Sequence, residues 1–279
     1  MGAKVYNGSC ATCDLYLSLC PLLESGRMNR TPPHEVRQQL RREVGFGCPV
    51  DRCGNPYLYW HHFDPPWSER QHHNPKGMIA LCAEHHAKAD VGAYTTEQLR
   101  ALKNSMPSEP AGRFEWMRRE LLVVVGGNFY HETPIAVQFR DQPVVWVNRD
   151  SEGYLLVNLA MLSASSEPRV VMQDNFWMAL GDPKDVECPP SGRKLKIQYS
   201  NDDRLGIEFF PVGAVSDITA RYPGANADQW GISYPITAVE IQMRVGGTPI
   251  EFGPRSTQIG GAQMINCFMS RCGVGLAFN

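Results

Sequence analysis

Residues 81–90 read Leu81-Cys82-Ala83-Glu84-His85-His86-Ala87-Lys88-Ala89-Asp90, and residues 60–64 before them read Trp60-His61-His62-Phe63-Asp64. Seven of the eight histidines of the chain lie between positions 34 and 86, in a segment that also holds three of its nine cysteines. Histidine is the commonest metal ligand in proteins and a general base that works near neutral pH. Core packing does not explain such crowding, so the sequence predicts a metal-dependent catalytic site in this segment.

The composition is that of a soluble globular protein. The chain has 279 residues, of which 43% are hydrophobic and 20% are charged, which suits one large domain or two ordinary ones. No apolar run reaches membrane-spanning length, and the N-terminal residues lack the apolar core of a secretory signal. We therefore expect a cytoplasmic protein with no membrane partner, whose cysteines include thiolate metal ligands and not structural disulfides.

The charge is distributed unevenly along the chain. The net charge is −2, which argues against a general polyanion binder. Residues 31–104 carry nine Lys and Arg against eight Asp and Glu, whereas residues 120–279 carry twelve against seventeen. We expect any nucleic-acid contact in the first region, aided by five arginines at positions 27, 30, 37, 41 and 42.

Local patterns predict short helices, a turn with a short strand and a loop in the first hundred residues. Thr31-Pro32-Pro33 begins a helix that carries Val36, Leu40 and Val44, and Gly45 and Gly47 end it. Residues 48–59 form a turn that enters a short strand, and residues 64–76 form a loop in which His72 and His73 are expected to be exposed. A helix is predicted from about Cys82 to Asp90, and Thr95-x-x-Gln98 predicts a capping box at the start of another.

The predicted fold class is α+β, in four segments. Residues 1–30 are an N-terminal extension, 31–104 a small zinc-containing domain, 105–119 a linker with a short helix near 114–120, and 120–279 a mostly-β domain. The last domain is expected to be a sandwich, a barrel or a solenoid. Its predicted strands are Leu122–Val125, Ile135–Phe139, Val144–Val147, Tyr154–Leu159, Val170–Met172, Leu195–Tyr199, Leu205–Phe210 and Val239–Met243.

Four side chains have the spacing of a structural zinc site. Cys48-x4-Cys53 and Cys82-x2-His85 form two short pairs, and structural zinc takes four tetrahedral Cys or His ligands with such gaps within a pair. The alternative is that these are ordinary buried thiols. Cys10, Cys13 and Cys20 lack an evident fourth ligand, and their role stays open.

A second metal site is predicted on another face of the same helix. His86 and Asp90 are neighbours at i and i+4, about a quarter turn away from Cys82 and His85. His61 and His62, on the preceding strand, point to opposite sides of that strand unless a bend or loop brings both imidazoles to one substrate.

Together these residues resemble an HNH endonuclease, a nuclease of the ββα-metal (His-Me finger) type, with an added zinc knuckle. The resemblance covers about residues 31–104. It implies that His61, His86 and Asp90 hold the catalytic metal and that His62 is the general base. It also implies hydrolysis of DNA, with RNA not excluded, to a 5′ phosphate and a 3′ hydroxyl. Asp90, as an oxygen ligand, favours Mg²⁺ or Mn²⁺, and Ni²⁺ is a further candidate.

One position departs from the family pattern. Gly77 stands where the family has the asparagine that orients the base histidine. Asn74 or His73 is the expected substitute from the loop.

The resemblance also suggests a role for the second half of the chain. HNH nucleases joined to a separate module are often bacterial or phage defence effectors, so we expect the β domain to control or target the nuclease, through a protein partner or a homo-oligomer. The alternatives are a non-catalytic zinc module that binds nucleic acid and a scaffold whose nuclease site has decayed.

Overall fold

The computed structural model describes residues 28–103 and 109–279, which form an α+β protein. Cys10, Cys13, Cys20, Arg27 and nearly all of the expected extension 1–30 lie outside the described residues. The elements of residues 28–103 are α1 (His34–Glu43), β1 (Leu58–His62), β2 (Met78–Cys82), α2 (Ala83–Asp90) and α3 (Thr96–Leu102).

The first part of the chain forms an antiparallel β1–β2 hairpin with helices packed around it. His61 is paired with Ile79 in the register of the hairpin. All five residues of β2 are buried, and they pack with Leu40 of α1 and Leu99 of α3 in one apolar core. The predicted capping box of α3 is confirmed, because Thr95 and Gln98 exchange side-chain to backbone hydrogen bonds.

The second part of the chain consists mostly of strands. Among its described residues it contains one α-helix, α4 (Val215–Arg221), and a short 3-10 helix at Ala227–Gln229. The strands are β3 (Ala111–Arg113), β4 (Leu121–Val125), β5 (Asn128–His131), β6 (Ile135–Phe139), β7 (Gln142–Arg149), β8 (Leu155–Leu162), β9 (Pro168–Gln173), β10 (Phe176–Ala179), β11 (Asp185–Glu187), β12 (Lys194–Gln198), β13 (Arg204–Val212), β14 (Ile236–Arg244), β15 (Ile250–Phe252), β16 (Thr257–Ile259), β17 (Ala262–Met264), β18 (Phe268–Ser270) and β19 (Val274–Phe278).

These strands form two sheets that share one core. One sheet has seven strands in the order β19-β6-β7-β8-β9-β10-β3. The other has ten, with β11 to β17 in sequence order and with β4, β5 and β18 joined through β14. Val145 and Met172 of the first sheet and Ile207 and Ile241 of the second are buried in the same cluster. Of the three expected architectures, the arrangement corresponds to a sandwich.

The helix expected near residues 114–120 is absent, and this expectation was wrong. Residues 111–113 form β3, which pairs with β10 at the edge of the seven-stranded sheet. Phe114 is fully buried against Phe209, and its N–H donates to the carbonyl of Asn175 at 3.0 Å. Tertiary contacts therefore keep this segment extended, against its local helical propensity.

A buried ion pair joins the two parts of the molecule. Arg41 of α1 donates to both carboxylate oxygens of Asp185 in β11, at 2.9 and 2.6 Å. The Arg41 and Asp185 side chains are only 3% and 7% exposed. Phe46, which follows α1, packs into the core of the sandwich. Residues 28–103 are thus docked on the sheets through α1 and Phe46.

Removal of one member of this ion pair is expected to lower the free energy of unfolding substantially. Asp185→Ala leaves a buried guanidinium without its counter-charge, which costs about 3–5 kcal/mol. We expect a drop of that size in the free energy of unfolding by urea. The double variant Arg41→Met/Asp185→Leu removes both charges and should recover most of the loss. A single variant as stable as the wild type would contradict the buried pair.

Candidate functional site

Cys48 and Cys53 lie at the two ends of a tight turn. The N–H of Cys53 donates to Val50 O at 2.9 Å, and the N–H of Gly54 donates to Cys48 O at 3.1 Å. Arg52 and Gly54 adopt left-handed backbone angles, with φ of 60° and 59°. These angles reverse the chain within a few residues, so both thiols can face the same point.

The other two ligands come from the junction of β2 and α2. Cys82 is the residue immediately before α2, and His85 lies in its first turn. All four candidate ligand atoms lie within 4.8 Å of one another. Cys53 Sγ is 3.8 Å from Cys82 Sγ, and His85 Nδ1 is 3.3 Å from Cys48 Sγ and 3.2 Å from Cys82 Sγ.

These separations fit tetrahedral zinc. With Zn–S bonds of about 2.3 Å and Zn–N bonds of about 2.0 Å, tetrahedral geometry places sulfurs about 3.8 Å apart and sulfur about 3.5 Å from nitrogen. Cys48 and Cys82 are buried. The Cys₃His cluster can therefore hold a metal such as zinc in a closed site.

The environment of Cys48 links metal binding to proton release. Burial raises the pKa of its thiol to about 12, while backbone N–H groups of Cys82 and Val50 oppose this rise. Burial also raises the pKa of Cys53. The buried thiols therefore need a cation in order to ionise at neutral pH, and metal binding must weaken as the pH falls.

A second cluster brings together His61, His86 and Asp90. Their ligand atoms also lie within 4.8 Å of one another. The Asp90 carboxylate lies between the two rings, with Oδ1 at 3.1 Å from His61 Nδ1 and Oδ2 at 3.2 Å from His86 Nδ1. Catalytic metal sites are typically held by three protein ligands, whereas structural sites are closed by four.

The second cluster is buried on one side and open on the other. The side chain of His61 is 9% exposed, whereas that of Asp90 is 45% exposed. Burial lowers the pKa of His61, as does the neighbouring charge of His86, while Asp90 opposes the change. His61 is therefore a neutral imidazole at neutral pH, which is the form that binds metal. Tyr59, half-exposed, flanks the cluster with its ring 5.8 Å from that of His86.

His62 lies outside both clusters, among the residues of the loop. Its ring centroid is 4.7 Å from that of Trp67, 5.2 Å from His72 and 6.0 Å from His73. It is buried, and neither of its ring nitrogens has a hydrogen-bond partner among the described residues. Burial lowers its pKa to about 4.

His72 is buried and held on both sides, so the expectation of an exposed residue was wrong. Its Nε2 lies 2.9 Å from Pro65 O, and its Nδ1 accepts the N–H of Asn74 at 3.1 Å. These partners require the neutral tautomer that carries its proton on Nε2. His72 thus fixes the loop and packs edge-on against His62. The only hint of this contact in the sequence is that His72 lies two residues before Asn74. At that spacing a side chain can accept a backbone N–H.

Gly77 stands where an asparagine was expected, and Asn74 and His73 were the expected substitutes. Each of the three has a different environment in the structure. A Cβ atom on Gly77 would lie 1.8 Å from the carbonyl oxygen of Asp64, so no side chain fits there. Asn74 caps the short turn Pro75–Gly77 by accepting the N–H of Lys76 at 3.2 Å. His73 stacks on Trp67 and reaches Asn29 O with Nε2 at 2.9 Å. Among the described loop residues, His72 and Trp67 make the closest ring contacts to His62.

Comparisons with family profiles, with curated proteins and with solved structures find no match to this chain. No helix within 28–103 or 109–279 combines the length and the apolar character of a membrane span.

Proposed function

We propose that the chain is a metal-dependent endonuclease of the HNH type that hydrolyses phosphodiester bonds of DNA. The observation that carries this proposal is the His61–His86–Asp90 cluster, which is separate from the Cys₃His cluster and open to solvent. A purely structural zinc module needs the first four ligands and has no use for these three.

In this proposal each cluster binds a different metal ion, according to the chemistry of its ligands. Cys48, Cys53, Cys82 and His85 hold a structural zinc, since soft thiolates prefer Zn²⁺. The two imidazoles and the carboxylate of the second cluster suit Mg²⁺, Mn²⁺ or Ni²⁺. When bound, such an ion supplies positive charge that stabilises the phosphate and its leaving oxygen.

His62 is the proposed general base. With its pKa lowered to about 4, it is neutral at physiological pH, and its ring nitrogens are free of partners in the described residues. In this proposal the neutral ring accepts the proton of the attacking water. Trp67 and His72 hold the ring in place, which replaces the orientation that the absent asparagine provides in the family.

The buried His62 also predicts how stability depends on pH. Its pKa in the folded chain, about 4, lies below the unfolded value of about 6.5. Its contribution to stability is therefore complete above pH 6.5 and is lost as the pH falls toward 4. Between pH 7.5 and pH 5, the wild type should lose about 2 kcal/mol more free energy of unfolding than His62→Gln, which does not titrate. Equal losses in urea titrations at the two pH values would contradict a depressed pKa.

The cleavage proposal is tested with nucleic acid and added ions. Purified protein is incubated with supercoiled plasmid, linear duplex or single-stranded RNA, each with Mg²⁺, Mn²⁺ or Ni²⁺ and with EDTA as the control. We expect ion-dependent cutting of DNA with 5′-phosphate ends. Cutting that persists in EDTA, or 3′-phosphate ends, would point to different chemistry.

We further propose that the β sandwich controls or targets the nuclease, as in a bacterial or phage defence effector in the cytoplasm. A cavity of about 740 Å³ lies between the two sheets and is bordered by β4, β5, β7 and β8. This is the size of a small-molecule pocket. Sedimentation of the purified chain and mass spectrometry of small molecules released from it test for an oligomer and for a ligand.

One observation favours a second candidate, a zinc-containing module that binds nucleic acid without cutting it. The ring of His62 contacts Trp67 and His72, not the metal cluster. A single experiment, a gel of duplex DNA incubated with the protein and each ion, distinguishes the two candidates. The non-catalytic module retards duplex DNA in a gel and leaves it intact with every ion.

A further inference from the structure

Tyr59 borders the open side of the His61–His86–Asp90 cluster. It lies two residues before His61 on β1, so the two side chains project from the same face of the strand. The ring of Tyr59 lies 5.8 Å from that of His86, at an angle of 52°, and 40% of the residue is exposed. A large aromatic side chain is thus open to solvent beside the proposed catalytic metal.

A second aromatic side chain, Trp67, lies beside the proposed base. His62 follows His61 directly, so it projects from the opposite face of β1. The ring of Trp67 is 4.7 Å from that of His62, and it stacks on His73 with ring centroids 5.5 Å apart. Trp67 is itself half-buried. One aromatic ring therefore flanks the metal cluster, and another flanks the base.

The positive charges of this part of the molecule are mostly engaged with carboxylates. Residues 31–104 hold nine Lys and Arg, and six of these form ion pairs. Two of the arginines that were expected to aid a nucleic-acid contact face the sandwich. Arg37 Nη1 is 3.9 Å from Glu187 Oε1, and Arg41 Nη2 is 2.6 Å from Asp185 Oδ2. Because duplex binding depends on many contacts from Lys and Arg to phosphates, charge alone is a weak basis for it here.

Stacking on aromatic rings is another source of affinity for nucleic acid. Aromatic side chains bind single strands by stacking on successive bases, with little regard to sequence, because every base has a π face. A base reaches such a ring only when it is unpaired and turned out of the duplex. Rings on both sides of the catalytic groups suit the two nucleotides that flank one scissile phosphate.

We infer that the substrate is DNA whose nucleotides are unpaired at the scissile phosphate, and that Tyr59 and Trp67 stack on the bases to either side of it. This inference rests on the proposed nuclease function. Tyr59 is a substrate-binding residue and takes no part in proton transfer. Negative supercoiling favours strand opening, so a supercoiled plasmid still offers sites to the enzyme.

The binding test uses a fluorescein-labelled oligothymidine and no added divalent ion, so that binding is measured without cleavage. Its affinity is followed by anisotropy at several salt concentrations for the wild type, Tyr59→Leu, Tyr59→Phe and Phe176→Leu. Phe176 lies on β10 of the sandwich and is 46% exposed, so Phe176→Leu is a matched loss of one exposed ring. The same oligonucleotide annealed to its complement provides the duplex.

We expect Tyr59→Leu to weaken single-strand binding by about tenfold, the usual effect of losing one stacked base. Tyr59→Phe should keep most of the wild-type affinity, because it keeps the ring. No charge is removed, so the slope of log K against log salt should stay at the wild-type value. Phe176→Leu should match the wild type, and zinc content should be unchanged in every variant. If Tyr59 served only to support His86, binding without a divalent ion would be unaffected.

Cleavage with Mn²⁺ provides the second measurement. The wild type should cut the single strand with a kcat/KM about tenfold or more above that for the linear duplex, because the duplex must first be opened. Tyr59→Leu should raise KM on the single strand and leave kcat near the wild-type value. Trp67→Leu should raise KM and also lower kcat, because Trp67 contacts His62.

Failure of this inference and failure of the proposed function give different results. Equal cleavage of the duplex and the single strand, or equal single-strand affinity of Tyr59→Leu and Phe176→Leu, would overturn the inference and leave the nuclease in place. If the wild type binds the single strand but cuts it with no ion, a loss of affinity in Tyr59→Leu still supports stacking on unpaired bases, and the cleavage proposal fails. A wild type that neither binds nor cuts DNA would contradict both.

Discussion

Replacement of His62 by alanine is expected to reduce DNA cleavage by about a hundred- to ten-thousand-fold, the usual contribution of a positioned general base. His62 is a neutral imidazole at physiological pH, buried against Trp67 and His72, and it belongs to neither cluster of candidate metal ligands. The loss should therefore appear in kcat, with zinc content and duplex affinity unchanged. Initial rates on plasmid at saturating Mn²⁺ provide the measurement.

The matched control for this variant is His34→Ala. His34 is the first residue of α1 and is exposed, so its removal takes away one imidazole of the same region without touching the site. We expect wild-type cleavage from it. Undiminished cutting by His62→Ala would refute the assignment of the base and leave the metal ligands as the remaining catalytic groups.

Loss of one ligand of the proposed zinc site should have the largest effect on folding. Cys48→Ser removes a thiol that is 1% exposed and packs in the first apolar core. Small zinc-containing units owe most of their folding free energy to the metal. We expect the variant to purify without zinc, and residues 28–103 to lose protection from amide hydrogen exchange while the sandwich keeps it.

Cys267→Ser is the control for that experiment, because Cys267 is a partly exposed cysteine outside the cluster. It should retain one zinc per chain and wild-type exchange. A Cys48→Ser protein that is folded, metal-free and as protected as the wild type would show that the four residues are ordinary buried side chains.

The ligand sets could be predicted from sequence because local geometry brings their members together. A short turn juxtaposes Cys48 and Cys53, and the start of α2 does the same for Cys82 and His85. The spacing of His86 and Asp90 places them on one helix face. Only the meeting of these pairs across the β1–β2 hairpin needed the tertiary structure.

The surroundings of His62 could not be predicted, because they depend on contacts between distant backbone groups. His72 is buried, with its ring bonded to Pro65 O. Any side chain at position 77 would collide with the carbonyl of Asp64. Nothing local in the sequence marks either contact.

The sandwich shows the same division between local and tertiary signals. The eight predicted strands are confirmed within a few residues at each end, because apolar side chains alternate or run continuously in them. The strands that were missed include β3, β11 and β15 to β18, each of three residues. Such short segments carry too few side chains for a periodic pattern, and their pairing partners define them.

The most direct test of the account is a titration of divalent ion into zinc-loaded protein with supercoiled plasmid, for the wild type and for His86→Ala. His86 belongs to the open cluster and not to the Cys₃His cluster. We predict that Mn²⁺ or Mg²⁺ starts cleavage by the wild type. We also predict that His86→Ala keeps its zinc and its fold but does not cut at any ion concentration at which the wild type is saturated. Equal cleavage by the two proteins, or no cleavage by the wild type with any ion, would contradict a catalytic metal site at His61, His86 and Asp90.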